Sequence, residues 1–94
     1  MKPNFNLSMD ETFRNLFPTV LSSPRLGKVF NSGEFIVEFK LMYAPVYNDF
    51  LEKKGKQLLH MRIGWLLSKY SNNFNVVKIG KKNNQTQWRN QNRK

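Results

Sequence analysis

Lys56-Gln57-Leu58-Leu59-His60-Met61-Arg62-Ile63-Gly64-Trp65-Leu66-Leu67-Ser68-Lys69-Tyr70, and after a short gap Phe74-Asn75-Val76-Val77-Lys78-Ile79-Gly80-Lys81-Lys82-Asn83-Asn84-Gln85-Thr86-Gln87-Trp88-Arg89-Asn90, is the stretch whose reading decides the fold. Leu59, Ile63, Leu66, Leu67 and Tyr70 recur at i, i+4, i+7, i+8 and i+11, the apolar stripe of one helix spanning 56–70. The opposite face carries Met61, Arg62, Trp65, Ser68 and Lys69, so an indole stands on the polar side. Gly64 weakens such a helix by about 1 kcal/mol relative to Ala, which points to close packing or close backbone approach. Ser71-Asn72-Asn73 breaks the helix. Residues 74–79 then read as a strand, 80–84 as a turn and 85–90 as a returning strand.

Charge divides the chain at the same place. The net charge is +10, and all six acids (Asp10, Glu11, Glu34, Glu38, Asp49 and Glu52) lie in the first 52 residues beside five bases. From Lys53 to Lys94 there are eleven Lys or Arg and no acid. A half-chain of one sign sets up a field that attracts polyanions. Nucleic acid is the leading partner on this ground, followed by an anionic membrane surface or an acidic protein.

Working outward, residues 8–54 read as a mostly helical N-terminal half. Ser8-Met9-Asp10-Glu11 has the form of a capping box with Ser8 as N-cap, followed by Phe13, Leu16, Phe17 and Val20 at helical spacing. Pro18 complicates that helix and is a candidate for its end. Ser22-Ser23-Pro24 and Asn31-Ser32-Gly33 read as turns. Phe35, Ile36, Val37 and Phe39 suit either a short strand or a helix, and residues 34–42 stay open between the two. Pro45 suits the first turn of a helix running to Lys54, with Val46, Phe50 and Tyr47 as its inner face and Gly55 as its stop. Residues 91–94 read as a basic tail.

Ninety-four residues form a single domain, 1–94, with no internal repeat. Thirteen aromatic residues (eight Phe, three Tyr, two Trp) suffice for a core. The absence of cysteine excludes disulfides and thiolate metal sites, and the single histidine, His60, excludes a histidine cage. No apolar run is long enough to span a membrane, so a soluble intracellular protein is expected. Catalysis is not expected either. The carboxylate pairs Glu34/Glu38 and Asp49/Glu52 stand at ordinary helical spacing, and no glycine-rich phosphate loop or nucleophile–base pair is evident. Neither a metal nor a cofactor is expected.

A basic helix followed directly by a basic hairpin is what a winged-helix domain requires, with the helix in the major groove and the hairpin on the neighbouring backbone. The residues His60-Met61-Arg62-Ile63-Gly64-Trp65-Leu66-Leu67-Ser68-Lys69-Tyr70, Val77-Lys78-Ile79-Gly80-Lys81-Lys82 and Thr86-Gln87-Trp88-Arg89 carry a further likeness. Over residues 56–90 the chain resembles the winged-helix domains at the C-termini of phage and plasmid primase-helicases, and other small viral replication or regulatory winged helices. The resemblance implies a small α+β winged helix, a helix-turn-helix pairing 44–54 with 56–70 followed by a wing at 74–90. It reaches the DNA-binding part only, since the chain has no P-loop.

The expected nucleic-acid contacts are Lys56, Arg62, Trp65 and Lys69 on the helix and Lys78, Lys81, Lys82 and Arg89 on the hairpin. Arg62 is the expected guanine contact, and Arg62→Ala and Lys69→Ala are expected to weaken DNA binding. Trp65 has the alternatives of a base contact, packing under the N-terminal half or a dimer contact. Trp88 is expected in the core, closing the hairpin against Ile63 and Leu67. His60 suits a surface or helix-start position better than a ligand or catalytic role. Two further readings stay open. One is an RNA or single-strand binder that stacks bases on Trp65; the other is a small viral interaction protein docking on an acidic host surface. Twelve Asn with many Lys and Phe suit an AT-rich genome, viral or phage. A homodimer would let two helices reach successive half-sites.

Overall fold

The structure, a computed structural model, describes residues 5–92, with side chains from Met9 onward. Its elements run α1 (Phe5–Leu21), β1 (Val29–Asn31), α2 (Ser32–Met42), α3 (Ala44–Lys54), α4 (Lys56–Lys69), α5 (Ser71–Phe74), β2 (Val76–Lys82) and β3 (Gln85–Asn90). The architecture is α+β: helices packed against a three-stranded antiparallel sheet of order β1-β3-β2. Residues 93 and 94, half of the expected basic tail, lie outside the described residues.

Aromatic packing makes the core. Phe13 and Phe17 of α1 stack on each other at 5.6 Å between centroids, and Phe17 meets Phe35 of α2 edge-on at 4.8 Å. Such pairs add about 0.5–1.5 kcal/mol beyond the area they bury. Phe30 of β1 stacks on Phe35 at 5.9 Å, which joins the sheet to the helices. Leu59, Ile63, Leu66 and Leu67 of α4 are fully buried, as their spacing requires, while Tyr70 is only half-buried at the end of α4. Trp88, the core residue expected on β3, is buried, and its indole N–H donates to Ser32 Oγ at 3.2 Å.

The N-terminal half departs from expectation at three points. Ser8 is not a cap, because α1 already starts at Phe5. Nor does Pro18 end α1: it sits in the last turn, where it forgoes one i→i−4 bond, yet the helix continues to Leu21 and the Ser22 amide and hydroxyl both reach its carbonyl. Asn31-Ser32-Gly33 is not a turn but the junction of β1 with α2, and it carries the real capping box. Asn31 Oδ1 accepts from the Glu34 amide at 2.7 Å, and Glu34 Oε1 accepts from the Asn31 amide at 2.9 Å. That box starts a helix and so settles residues 34–42 as α2.

Two linkers also differ from expectation. Tyr47 is the buried residue of α3, whereas Val46 and Phe50 are half-buried. Only Gly55, at φ 86°, separates α3 from α4, a tighter joint than the turn of about three to four residues in a helix-turn-helix. Ser71-Asn72-Asn73 follows the end of α4, as expected of a helix break, but is not irregular. It forms the single turn α5, which Asn75 ends in the left-handed conformation at φ 60°. The second strand therefore starts at Val76 rather than Phe74, and it runs on through Gly80, Lys81 and Lys82, so the turn expected over 80–84 is confined to Asn83 and Asn84.

Candidate nucleic-acid interface

The outward face of α4 carries an apolar stripe among polar residues. Burying Leu59, Ile63, Leu66 and Leu67 turns Leu58, Met61 and Trp65 toward solvent, where they remain 48%, 64% and 43% exposed. Their spacing, i, i+3 and i+7, makes them a second stripe along the same helix. Gly64 lies one turn beyond Met61, and a Cβ there would meet nothing within 4 Å. Packing inside the protein therefore does not require a glycine at this position.

On the side of α4 that meets α1, cations and rings alternate. Arg62 donates from Nε to Asp10 Oδ1 at 2.9 Å and from Nη2 to Asp10 Oδ2. The carboxylate holds the guanidinium above its ordinary value, so it stays charged. The same guanidinium lies 4.2 Å from the Trp65 ring centroid, and Lys69 Nζ lies 4.6 Å from it. Arg14 of α1 stands 4.5 Å from the centre of the Tyr70 ring. Of the alternatives for Trp65, packing beneath the N-terminal half does not occur: the ring is exposed and carries two cations instead.

On the other side, α4 faces α2 and the start of β3 across an open cleft of about 770 Å³. Lys56, Gln57, His60 and Met61 line it from α4, and Gln85 lines it from the hairpin. Gln85 Oε1 accepts from the Gly33 amide at 3.1 Å, which fastens the turn end of the hairpin to α2. The His60 Nε2 lies 2.6 Å from the buried Tyr47 hydroxyl. Burial first, then Lys56 and Lys40, hold the His60 imidazole below its ordinary value. This contact between His60 and Tyr47 ties α4 to α3.

The hairpin turns at Asn83 and Asn84, both left-handed at φ 54° and 64°, the conformation of a two-residue type I′ loop. Pairing passes from Lys78↔Trp88 to Gly80↔Gln87, so Ile79 is the extra residue of a β-bulge. Side chains alternate along a strand, so Lys78 and Lys81 would otherwise point to opposite faces. The bulge puts both on the face of β3 that carries Trp88, the face packed by the helices, with Lys81 opposite Thr86. Lys82 and Arg89 share the other face, opposite Gln85 and Val77. All four are exposed.

The eight expected contact residues thus fall into three groups. Lys56 lies in the cleft, Arg62, Trp65 and Lys69 form one cation–ring cluster, and the four hairpin bases divide between two faces. Leu58, Met61, Gly64 and Gln85 are additional members of this surface. The second stripe on α4 was present in the spacing of 58, 61 and 65, but the stronger stripe at 59, 63, 66 and 67 masks it. Away from this surface, buried Glu38 of α2 receives Arg25 at 2.9 Å and the Ser23 hydroxyl at 2.5 Å. These two bonds hold the Glu38 carboxyl below its ordinary value. Among the described residues no group of three or more His, Asp or Glu could hold a metal ion, and no helix is long and apolar enough to cross a membrane. Comparison with known protein families, known proteins and solved structures finds no match to this chain.

Proposed function

We propose that the protein is a non-enzymatic, winged-helix-type binder of duplex DNA, acting in the replication or transcription control of a virus or phage. In this reading α4 enters the major groove and the β2–β3 hairpin is the wing. The observation that carries it is the cleft itself, which Lys56, Gln57 and Met61 of α4 line together with Gln85 of the hairpin. Lys78 and Lys81 project from the helix-packed face of the same hairpin. The element order supports it too, since a basic helix leads into a basic hairpin whose strands form a sheet with β1. Phosphate neutralisation by these bases supplies the affinity through counterion release.

Fluorescence anisotropy with labelled duplex DNA, single-stranded DNA and duplex RNA, each at several salt concentrations, tests the proposal. Preference for duplex DNA with a steep negative salt slope supports it. Weak, equal binding to all three that vanishes near physiological salt overturns it.

The exposed Trp65 favours one second reading, a single-strand binder that stacks bases on the indole. Saturating oligo(dT) would then quench tryptophan fluorescence, and an unchanged spectrum rules this out. The two cations already against the ring weigh against stacking.

A further inference from the structure

We infer that the outward face of α4 reads thymine-rich duplex DNA through the C5-methyl groups in the major groove, an inference that rests on the duplex-binding reading above. The usual reader of guanine is an arginine whose fork reaches O6 and N7. Arg62 is the one arginine of α4, and its Nε and Nη2 are both bonded to Asp10. Beside exposed Gln57, Ser68 and Lys69, α4 presents the apolar stripe Leu58, Met61 and Trp65. The thymine methyl is the apolar group that base edges display in the major groove, so it is the natural partner for such a stripe.

Two further observations select this occupant. Gly64 keeps the helix surface low beside Met61, although nothing within the protein would oppose a Cβ there. A glycine that costs helix stability without an internal reason fits a surface that approaches closely from outside. The charges around the stripe are complementary to DNA as well. Exposed Lys54 and Lys56 stand at one end of α4, Lys69 at the other and Lys78 and Lys81 on the hairpin, and no acid occurs after Glu52. A row of methyls between two rows of phosphates matches an apolar stripe set among cations. A second copy of the chain, itself carrying +10, is opposed by like charge.

The test compares a labelled thymine-rich duplex with the same duplex carrying deoxyuridine at every thymine, which keeps the base pairing and removes only the methyl. Each methyl lost from an apolar contact should weaken binding about fourfold. Met61→Ala, at an exposed position that leaves the fold intact, should narrow the difference between the two duplexes while retaining most of the affinity for the uracil form. Equal binding of both duplexes by the unaltered protein overturns the thymine inference and leaves the duplex-binding reading standing. Full thymine preference in Met61→Ala overturns the assignment to α4. Absence of duplex binding even at low salt overturns both readings and turns attention to an acidic protein as the partner of the stripe.

Discussion

Asp10 and Arg62 stand 52 positions apart and are joined by two hydrogen bonds that fasten α1 to α4. Their side chains are 32% and 37% exposed, so solvent screens the pair, and a double-mutant cycle should give a coupling of about 0.5–1 kcal/mol. Because the guanidinium is already occupied, Arg62→Ala should change duplex affinity by less than about threefold, the size of one screened charge. A loss of a hundredfold would show that Arg62 leaves Asp10 to contact DNA.

The hairpin bases should behave differently. Lys81→Glu and Lys82→Glu alter exposed side chains near the turn, so thermal stability should move by no more than about 0.5 kcal/mol. Duplex affinity should fall, and replacing both lysines with glutamine should reduce the salt slope by about 2. An unchanged slope would remove the wing from the interface.

Gly64→Ala separates stability from binding at one position. The added methyl meets no neighbour and improves helix propensity, so urea denaturation should show a gain of about 0.5–1 kcal/mol. Duplex binding should weaken in the same variant. A protein both more stable and equally tight would place the α4 backbone away from the DNA.

The Asn83-Asn84 turn gives a test of local geometry. Asn84→Gly suits the left-handed conformation better and should stabilise the protein by about 0.5 kcal/mol, whereas Asn84→Ala should cost about 1 kcal/mol. Equal melting temperatures for the two variants would contradict the turn.

Stability should fall in acid through Glu38. Its carboxyl is depressed in the folded protein, so its contribution is complete above about 4.5, the ordinary glutamate value, and is lost as pH falls through the lower folded value. Glu38→Gln should therefore be less stable than the parent at pH 7 and should approach it at pH 3. Chemical denaturation at both pH values measures the two gaps, and a constant difference would dissociate Glu38 from the acid response.

Periodicity makes α4 legible in the sequence, because its four buried residues satisfy one helical stripe and little else. The hairpin is legible from its two apolar-and-basic runs, but its turn reads as 80–84, because Gly80 and the lysine pair look like loop residues while they belong to β2. Residues 29–42 were harder for a physical reason. A three-residue strand has no periodicity to detect, and Asn31 serves as both the end of β1 and the cap of α2. The expectation of a turn there rested on Asn, Ser and Gly, residue types that loops and caps share. Composition and spacing proposed the eight site residues, but pairing across the fold decides what each has left to offer. Asp10 is remote from Arg62 in sequence, so nothing in the order of residues revealed that its fork was taken.

The sheet order has a consequence for how the molecule comes together. β3 is the central strand and the last of the described elements in the chain, with Trp88 lying between Phe30 on one flank and Lys78 on the other. Its link to β2 is a local hairpin that closes quickly, whereas its link to β1 must close a loop through four intervening helices and pay a larger search entropy. Helical collapse and hairpin closure can therefore precede the joining of β1, and the rate of reaching the native state should be governed by the moment at which Phe30 finds Trp88.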